Sequence, residues 1–373
     1  MFGKGISDAI YCRRDVELFY VSTEHILGTV ACTGWIRGDT RQELVAVLGL
    51  AAAKDIDTIV KCVGEDLQAV TSADAKKTLI EANGVFIQSG SHIKETYASA
   101  VSKHLRAVFK EVNFSGDPEG SRASINEWIA ENTKRKIKDL LSQGSITPLT
   151  YMVLANAVYF KGMWKSKFEK SETDENGVFH TLNKGDVRVS MMARKGSYPM
   201  ADFVDLEVQA LKVPFETHEM LIVLPEKKDG FGKVLKQLCA DPKHLVEILT
   251  SDQYFDTEVV LKLPKFSLGG GNMQLKEPLC RMGLKSTFDM DRADFSGITA
   301  ERALSVSDVY HQAVIDVDEE GAEAAAATAM VMMCRCMPMP PPQFVVDHPF
   351  LFFIVSETGI PAFMGHVVEP ESR

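Results

Sequence analysis

Cys334, Arg335 and Cys336 are the residues whose types and spacing first suggest chemistry. A thiol beside a guanidinium has its thiolate favoured and becomes oxidisable. The i,i+2 spacing is poor for a disulfide. Two thiols with no nearby His-x-x-His or second cysteine pair supply only half of a zinc site. Arg335 is also the only cation between Gly321 and Phe344. No GxSxG, HExxH or Ser/His/Asp motif presents itself, so hydrolysis has no nucleophile and base to start from. His311 and His348, two of nine scattered histidines, sit in strand-like apolar runs and read as satisfied core residues.

The stretch that presents Arg335 is unusual. DEEGAEAAAATAMVMM (318–333) is nearly free of charge after Glu323. Ala324, Ala325, Ala326 and Ala327 favour a helix, but Met330, Val331, Met332 and Met333 are consecutive and cannot share one helical face. Period two puts Ala322, Ala324, Ala326, Thr328, Met330 and Met332 on one face, all small or apolar, with Glu323 opposite. Gly321 supplies backbone freedom to start a turn, and Pro338 with Pro340 to Pro342 stiffens the exit as polyproline.

Around that stretch, the elements follow from periodicity. The first 145 residues read as helical, most clearly in DTRQELVAVLGL, GSHIKETYASAVSKHLRAVF and SRASINEWIAENTKRKIKDLL. Ser124-x-x-Glu127 makes a capping box for the last. From residue 151 the period changes. YMVLANAVYF, EVQALKVPF, MLIVLP, EVVLKLPKFSL, AVIDVDEE, FVVDHPFLFFIV and AFMGHVV read as strands, with a helical pattern returning in QLKEPLCRMGL. Helices first and strands afterwards indicate α+β, with large, mainly antiparallel sheets. No linker or repeat divides the 373 residues, so one domain is expected, helix-rich over 1–150 and sheet-rich over 151–373.

Composition excludes several classes. A net charge of −10 argues against nucleic-acid binding, which needs a basic face. No run of eighteen apolar residues appears, so no membrane span is expected. The first residues contain no apolar stretch of signal-peptide length. The chain is therefore expected to be cytoplasmic if it is complete, and extracellular if its start has been truncated. Seven scattered cysteines are no disulfide framework and read mostly as free buried thiols. Asn113-Phe114-Ser115 is a glycosylation triplet that matters only in a secreted chain.

From about residue 17 to its end the chain resembles a serpin. NAVYFKGMW (156–164), LPKFSL (263–268), MGLKSTFDMDRADFSGI (282–298), VYHQAVIDVDEEGAEAAAATA (309–329) and FVVDHPFLFFI (344–354) follow in the family's order. The resemblance implies three β-sheets with eight or nine helices, and a reactive loop at about 319–343 exposed above the largest sheet. In inhibitory members that loop is bait for a serine protease, and it then inserts into the sheet as a new strand. Small side chains at Ala322, Ala324, Ala325, Ala326 and Ala327 suit that passage, since branched or charged ones would need a wider gap or be buried unpaired. The family places the residue before the scissile bond fourteen positions after the hinge glycine. From Gly321 that is Arg335, so the reactive bond is Arg335–Cys336, with Met332, Met333 and Cys334 as the preceding subsites.

A long cation matches proteases whose specificity pocket ends in aspartate, as in trypsin. The implied partner is therefore a trypsin-like serine protease held in a covalent complex. The implied native state is a monomer able to form loop–sheet polymers on heating. Glu319, Glu320, Gly321, Glu323 and Thr328 complete the implied hinge and inserting loop. Ser22, Asn156, Trp164 and His311 match positions that control sheet opening. No catalytic residue, metal or cofactor is implied. A cysteine after the scissile arginine, with DHPFLFFI downstream, is similar to the ovalbumin-type members.

The chain departs from the family pattern near its start. Only about fifteen residues precede VELFYVSTEHIL, and Thr23, His25 and Trp35 stand where the family usually has proline, serine and glycine. Ala322 replaces the commoner hinge threonine. The main rival is a non-inhibitory serpin acting as carrier, chaperone or storage protein; such members typically lose the small-residue hinge kept here. A glycosaminoglycan cofactor would need Lys94, Lys103, His104, Arg106 and Lys110, or KRKIK (134–138). Both groups read more readily as solvated faces of amphipathic helices.

Overall fold

The computed structural model describes residues 18–20, 36–47, 78–105, 107–269, 271–299, 304–321, 341–357, 359 and 361–370. The chain divides into two compact units, Met1–Phe160 with Gly269–Val314 and Lys161–Leu268 with Ile315–Arg373. The first unit runs through β1 (Leu18–Tyr20), α1 (Gly38–Val47), β2 (Leu79–Gln88), α2 (Glu95–Leu105), β3 (Val108–Val112), α3 (Pro118–Asn132) and β4 (Met152–Lys161). In the second, β5 (Asp174–His180), β6 (Asp186–Phe203), β7 (Val208–Pro214) and β8 (His218–Pro225) precede the helices α4 (Phe231–Ala240) and α5 (Pro242–Thr250). It continues through β9 (Phe255–Pro264) and β10 (Phe266–Gly269). The chain re-enters the first unit with β11 (Met273–Gln274), α6 (Lys276–Arg281) and β12 (Asp308–Val317). The strands β13 (Gln343–Val345), β14 (Phe350–Ser356) and β15 (Pro361–Val367) end the second. No described helix is long and apolar enough to cross a membrane.

In the first unit the strand order is β12-β4-β2-β3, with β11 paired to β12. From Met152 to Phe160, β4 is buried at every residue, because both of its faces are covered and its apolar run is continuous. Met152 and Leu154 join a core with Val309 on one face. Val153, Ala155 and Ala157 meet Ile125, Trp128 and Ile129 of α3, together with Tyr310, on the other. β2 runs antiparallel to β4 with Asn83 opposite Asn156. The second unit contributes the order β15-β14-β8-β7-β6-β9-β13 from a nine-stranded sheet, with β5 on β6. The adjoining strands β14 and β8 are buried at every residue of β14 and at all but Glu219 of β8.

Several sequence expectations change. Residues 79–88 form a ten-residue strand inside the first third, which was expected to be helical, because β2 must fill the sheet between β4 and β3. The cap of α3 is Asp117, whose carboxylate accepts the Gly120 N–H at 2.9 Å ahead of Pro118. Ser124 lies inside that helix and caps nothing. The helix stops at Asn132, where Lys134 and Arg135 adopt left-handed backbone (φ 50 and 59), so KRKIK is not on a helical face. The described residues hold two sheets and six α-helices; the family's three sheets and eight or nine helices are a count over a whole chain, and 48–77 lies outside the described residues.

Candidate functional site

Residues 318–321, the start of the stretch expected to act as hinge, are held by side chains of the second unit. They continue from β12, and each is gripped differently. Trp164, fully buried, donates its indole N–H to Asp318 O at 2.7 Å and its backbone N–H to Glu320 O at 3.1 Å. Phe168 N–H donates to Glu319 O at 3.1 Å. The indole stacks on Phe215 with centroids 4.1 Å apart and meets Phe168 edge-on at 5.4 Å. One large aromatic thus supplies both the floor and the donors of the hinge.

Two ion pairs flank that floor. Glu319 is only 4% exposed, and its carboxylate accepts from Lys265 Nζ at 2.9 Å and from Thr173 Oγ1 at 3.2 Å. Burial alone would raise this carboxyl, but the bonds and charge of Lys265 and Thr173 outweigh it and hold Glu319 below the ordinary value. The hydrogen bond to Glu319 in turn raises Lys265. Glu320 reaches outward to Lys161 Nζ at 2.5 Å, and the same ammonium lies 3.3 Å from Asp318.

Gly321 forms a parallel bridge with Trp164. A Cβ there would lie 2.6 Å from Trp164 O and 2.9 Å from Lys167 Cα, closer than any side chain tolerates. Its φ is not in the left-handed region, so close approach, rather than the turning freedom expected from the sequence, is what requires glycine here.

The first unit holds His311 and Asn156, two of the residues expected to control sheet opening. His311 and Asn156 are both fully buried, and the imidazole Nδ1 lies 2.6 Å from Asn156 Oδ1. Burial lowers His311 to about 3, so the ring is neutral at ordinary pH and Nδ1 is the donor. Asn156 Nδ2 then donates to Asn83 Oδ1 on the next strand. One polar chain therefore ties β12 to β4 and β4 to β2, and β12 cannot leave β4 without breaking the His311–Asn156 bond.

Of the expected site residues, Glu319, Glu320, Gly321 and Trp164 come together, and Asn156 meets His311. The inserting stretch expected at Ala322, Glu323, Ala324, Ala325, Ala326, Ala327 and Thr328 lies outside the described residues. So do the subsites Met332, Met333 and Cys334, the bond Arg335–Cys336, and Ser22, Thr23, His25 and Trp35. Asn83, Lys161, Thr173 and Lys265 were not anticipated. Lys161 and Lys265 were visible as the cations inside NAVYFKGMW and LPKFSL. Asn83 carried no signal beyond being a polar residue in an apolar run. Cys239 and Cys280 are half-buried free thiols that burial pushes up, as expected of structural cysteines.

Comparison with known proteins places the chain in a family. A family model described as "Serpin (serine protease inhibitor)" matches residues 25–370. The chain is 36% identical over 339 residues to Ipis-1 of Ixodes persulcatus, covering 89% of this chain and 87% of that protein. It is also 36% identical over 302 residues to human Serpin B3, covering 80% and 76%. Among solved structures, Serpin48 of the insect Tenebrio molitor superposes with a TM-score of 0.83 at 27% identity, over 99% of this chain and 96% of that one. Native protease nexin-1 with heparin gives 0.82 at 28% identity, over 99% and 97%.

Proposed function

The chain belongs to the serpin family, whose members are for the most part protease inhibitors, and from that premise we propose that it inhibits trypsin-like serine proteases as a suicide substrate. The protease serine attacks the Arg335 carbonyl and the bond to Cys336 breaks. Cys336 leaves as an amine, and Arg335 remains esterified to the protease. The freed loop then enters between β4 and β12, carrying the acyl-enzyme with it before water can hydrolyse the ester.

One observation carries the reading. β12 lies directly beside β4, and beyond them Trp164 and Gly321 form a parallel bridge at the loop's base. A segment returning from Gly321 therefore runs antiparallel to both neighbours, and small side chains at Ala322, Ala324, Ala325, Ala326 and Ala327 suit its passage. Roughly fourteen inserted residues add ladder bonds of about 0.5–1.5 kcal/mol each, so the sum is several kcal/mol even at the low end. We propose no cofactor. The basic groups of 134–138 are already engaged in part, Arg135 with Glu127 at 2.6 Å and Lys136 over the Tyr159 ring at 4.8 Å.

The test is incubation with trypsin followed by a denaturing gel. A covalent band that survives denaturant is expected from the natural sequence and absent from Arg335→Ala, which removes the cation the protease pocket binds. A cleaved loop with no covalent band would overturn inhibition and favour a carrier, chaperone or storage role.

A further inference from the structure

We propose that the cavity floored by Asp308 and Lys276 is the receiving site for Arg335 after the loop has been cut and inserted. The proposal rests on the insertion reading above and adds where the inserted strand is anchored.

The cavity lies wholly within the first unit and measures about 360 Å³, the volume of roughly a dozen waters. Its walls include Ser145, Tyr151, Lys276, Ser307, Asp308 and Tyr310. It straddles the seam between the two strands that must part. Tyr151, just before β4, donates its N–H to Ser307 Oγ at 2.9 Å, and Ser307 N–H donates to Met152 O at 2.8 Å. Asp308 accepts the Val309 N–H at 2.7 Å and is also bonded by the Lys276 N–H and the Tyr310 hydroxyl, so its close partners are neutral donors rather than a cation. Burial raises its carboxyl, and the Lys276 charge offsets only part of that rise, which a closer guanidinium would relieve further. Lys276 Nζ donates to Ser307 O at 3.2 Å and sits over the Phe288 ring, likewise without a carboxylate in ion-pair contact. Ser145 Oγ is buried with no hydrogen-bond partner.

Two features of the chain point to the occupant. The first is length. A strand that turns back between Gly321 and Ala322 pairs residues whose numbers sum to 321 + 322, or 643, so the partner of Asp308 is residue 335. Arg335 therefore arrives level with the start of β12, within about 3.3 Å per residue of any offset. The second is face. Val309, His311, Ala313, Ile315 and Val317 are the core face of β12, all buried. The core face of the loop is Ala322, Ala324, Ala326, Thr328, Met330 and Met332. Directly opposed residues share a face, so the odd-numbered loop residues, Arg335 with them, fall on the face of Asp308 and Tyr310.

Charge completes the match. Hydrolysis adds water across the Arg335–Cys336 bond, leaving Arg335 with a terminal carboxylate and Cys336 with a terminal amine. The new end then bears a guanidinium and a carboxylate, the complements of Asp308 and Lys276. An arginine fork also pairs two carboxylate oxygens at once.

The test uses full-length protein cut at Arg335 and an exopeptidase specific for C-terminal arginine, with mass spectrometry of the 1–335 fragment. Loss of Arg335 is expected to be at least about tenfold slower from the natural sequence than from Asp308→Asn, since a docked end reacts only when it opens. Lys276→Gln is expected to speed the loss as well, and it carries the test should Asp308→Asn not fold. Thermal melts of cut and uncut protein separate the two levels. If cut protein melts higher than uncut yet all three sequences lose Arg335 at one rate, the loop inserts and the docking site is overturned. If cutting brings no rise in melting point, the insertion reading falls and the docking site with it.

Discussion

The hinge at 318–321 and the His311–Asn156–Asn83 chain both restrain β12, but by opposite physics. The hinge uses charged pairs whose cations are half in water, Lys265 at 43% and Lys161 at 31% side-chain exposure. Such pairs are screened and individually weak. The polar chain is neutral, with His311 and Asn156 fully buried and Asn83 half-buried, so parting the strands breaks the His311–Asn156 bond where water cannot reach, which costs more than the bond contributes when made. If 318–321 releases and the His311 chain holds, as proposed, the two are built from different materials.

The largest expected effect lies in the lock. Asn156→Leu deprives both His311 Nδ1–H and Asn83 Oδ1 of their named partner, at about 1–3 kcal/mol each. Urea unfolding should show the loss directly, and native gels after gentle heating should show earlier laddering as β12 parts from β4. A variant as stable as the natural sequence would mean that the chain locks nothing.

Acid sharpens the comparison next. His311 is depressed in the fold, so its contribution is present above its ordinary value of 6.5 and is lost as pH falls from there toward about 3. Between pH 6.5 and 5 the loss is about 2 kcal/mol. His366, lowered by burial to about 4, adds a similar loss in the same window. Glu319 is also depressed, but from 4.5, so its share is nearly untouched there and fades mainly below it. Stability by urea unfolding at pH 6.5 and 5 should therefore fall for the natural sequence and fall about half as far in His311→Gln. Glu319→Gln should leave that difference unchanged.

Smaller effects belong to the hinge. Glu319→Gln keeps an acceptor for Thr173 and Lys265 but removes the charge, and about 1 kcal/mol is expected after screening by the exposed Lys265 end. Lys161→Met faces Glu320 and Asp318 at the surface, and a change within about 0.5 kcal/mol is expected in the same unfolding measurement. A Lys161 effect exceeding that of Asn156 would reverse the ranking of the two regions.

Much of this was legible in the residues. The apolar run of YMVLANAVYF announced a strand, and the helix of α3 was visible from its period, although its cap lies at Asp117 rather than Ser124. β2 was missed because LIEANGVFIQ carries Glu81, Asn83 and Gly84 and lacks alternation. Only its neighbours β4 and β3 make it a strand, so tertiary pairing overrode a weak local signal.

By itself, the sequence determined the family, the small-residue loop and the position of its one arginine, because those depend on residue identity and order along the chain. Glu319 could be numbered as a hinge residue from its distance to Gly321, but not paired, since Lys265 is fifty-four residues away and ion pairs leave no periodic trace. Gly321 was expected to turn and instead makes room for Trp164, because the space around an atom is set by what packs against it. Nothing in the sequence singled out Asp308. Only the fold placed it beside Lys276 and Ser145 at the foot of the seam, where a cavity exists because three separate stretches of chain meet without filling it.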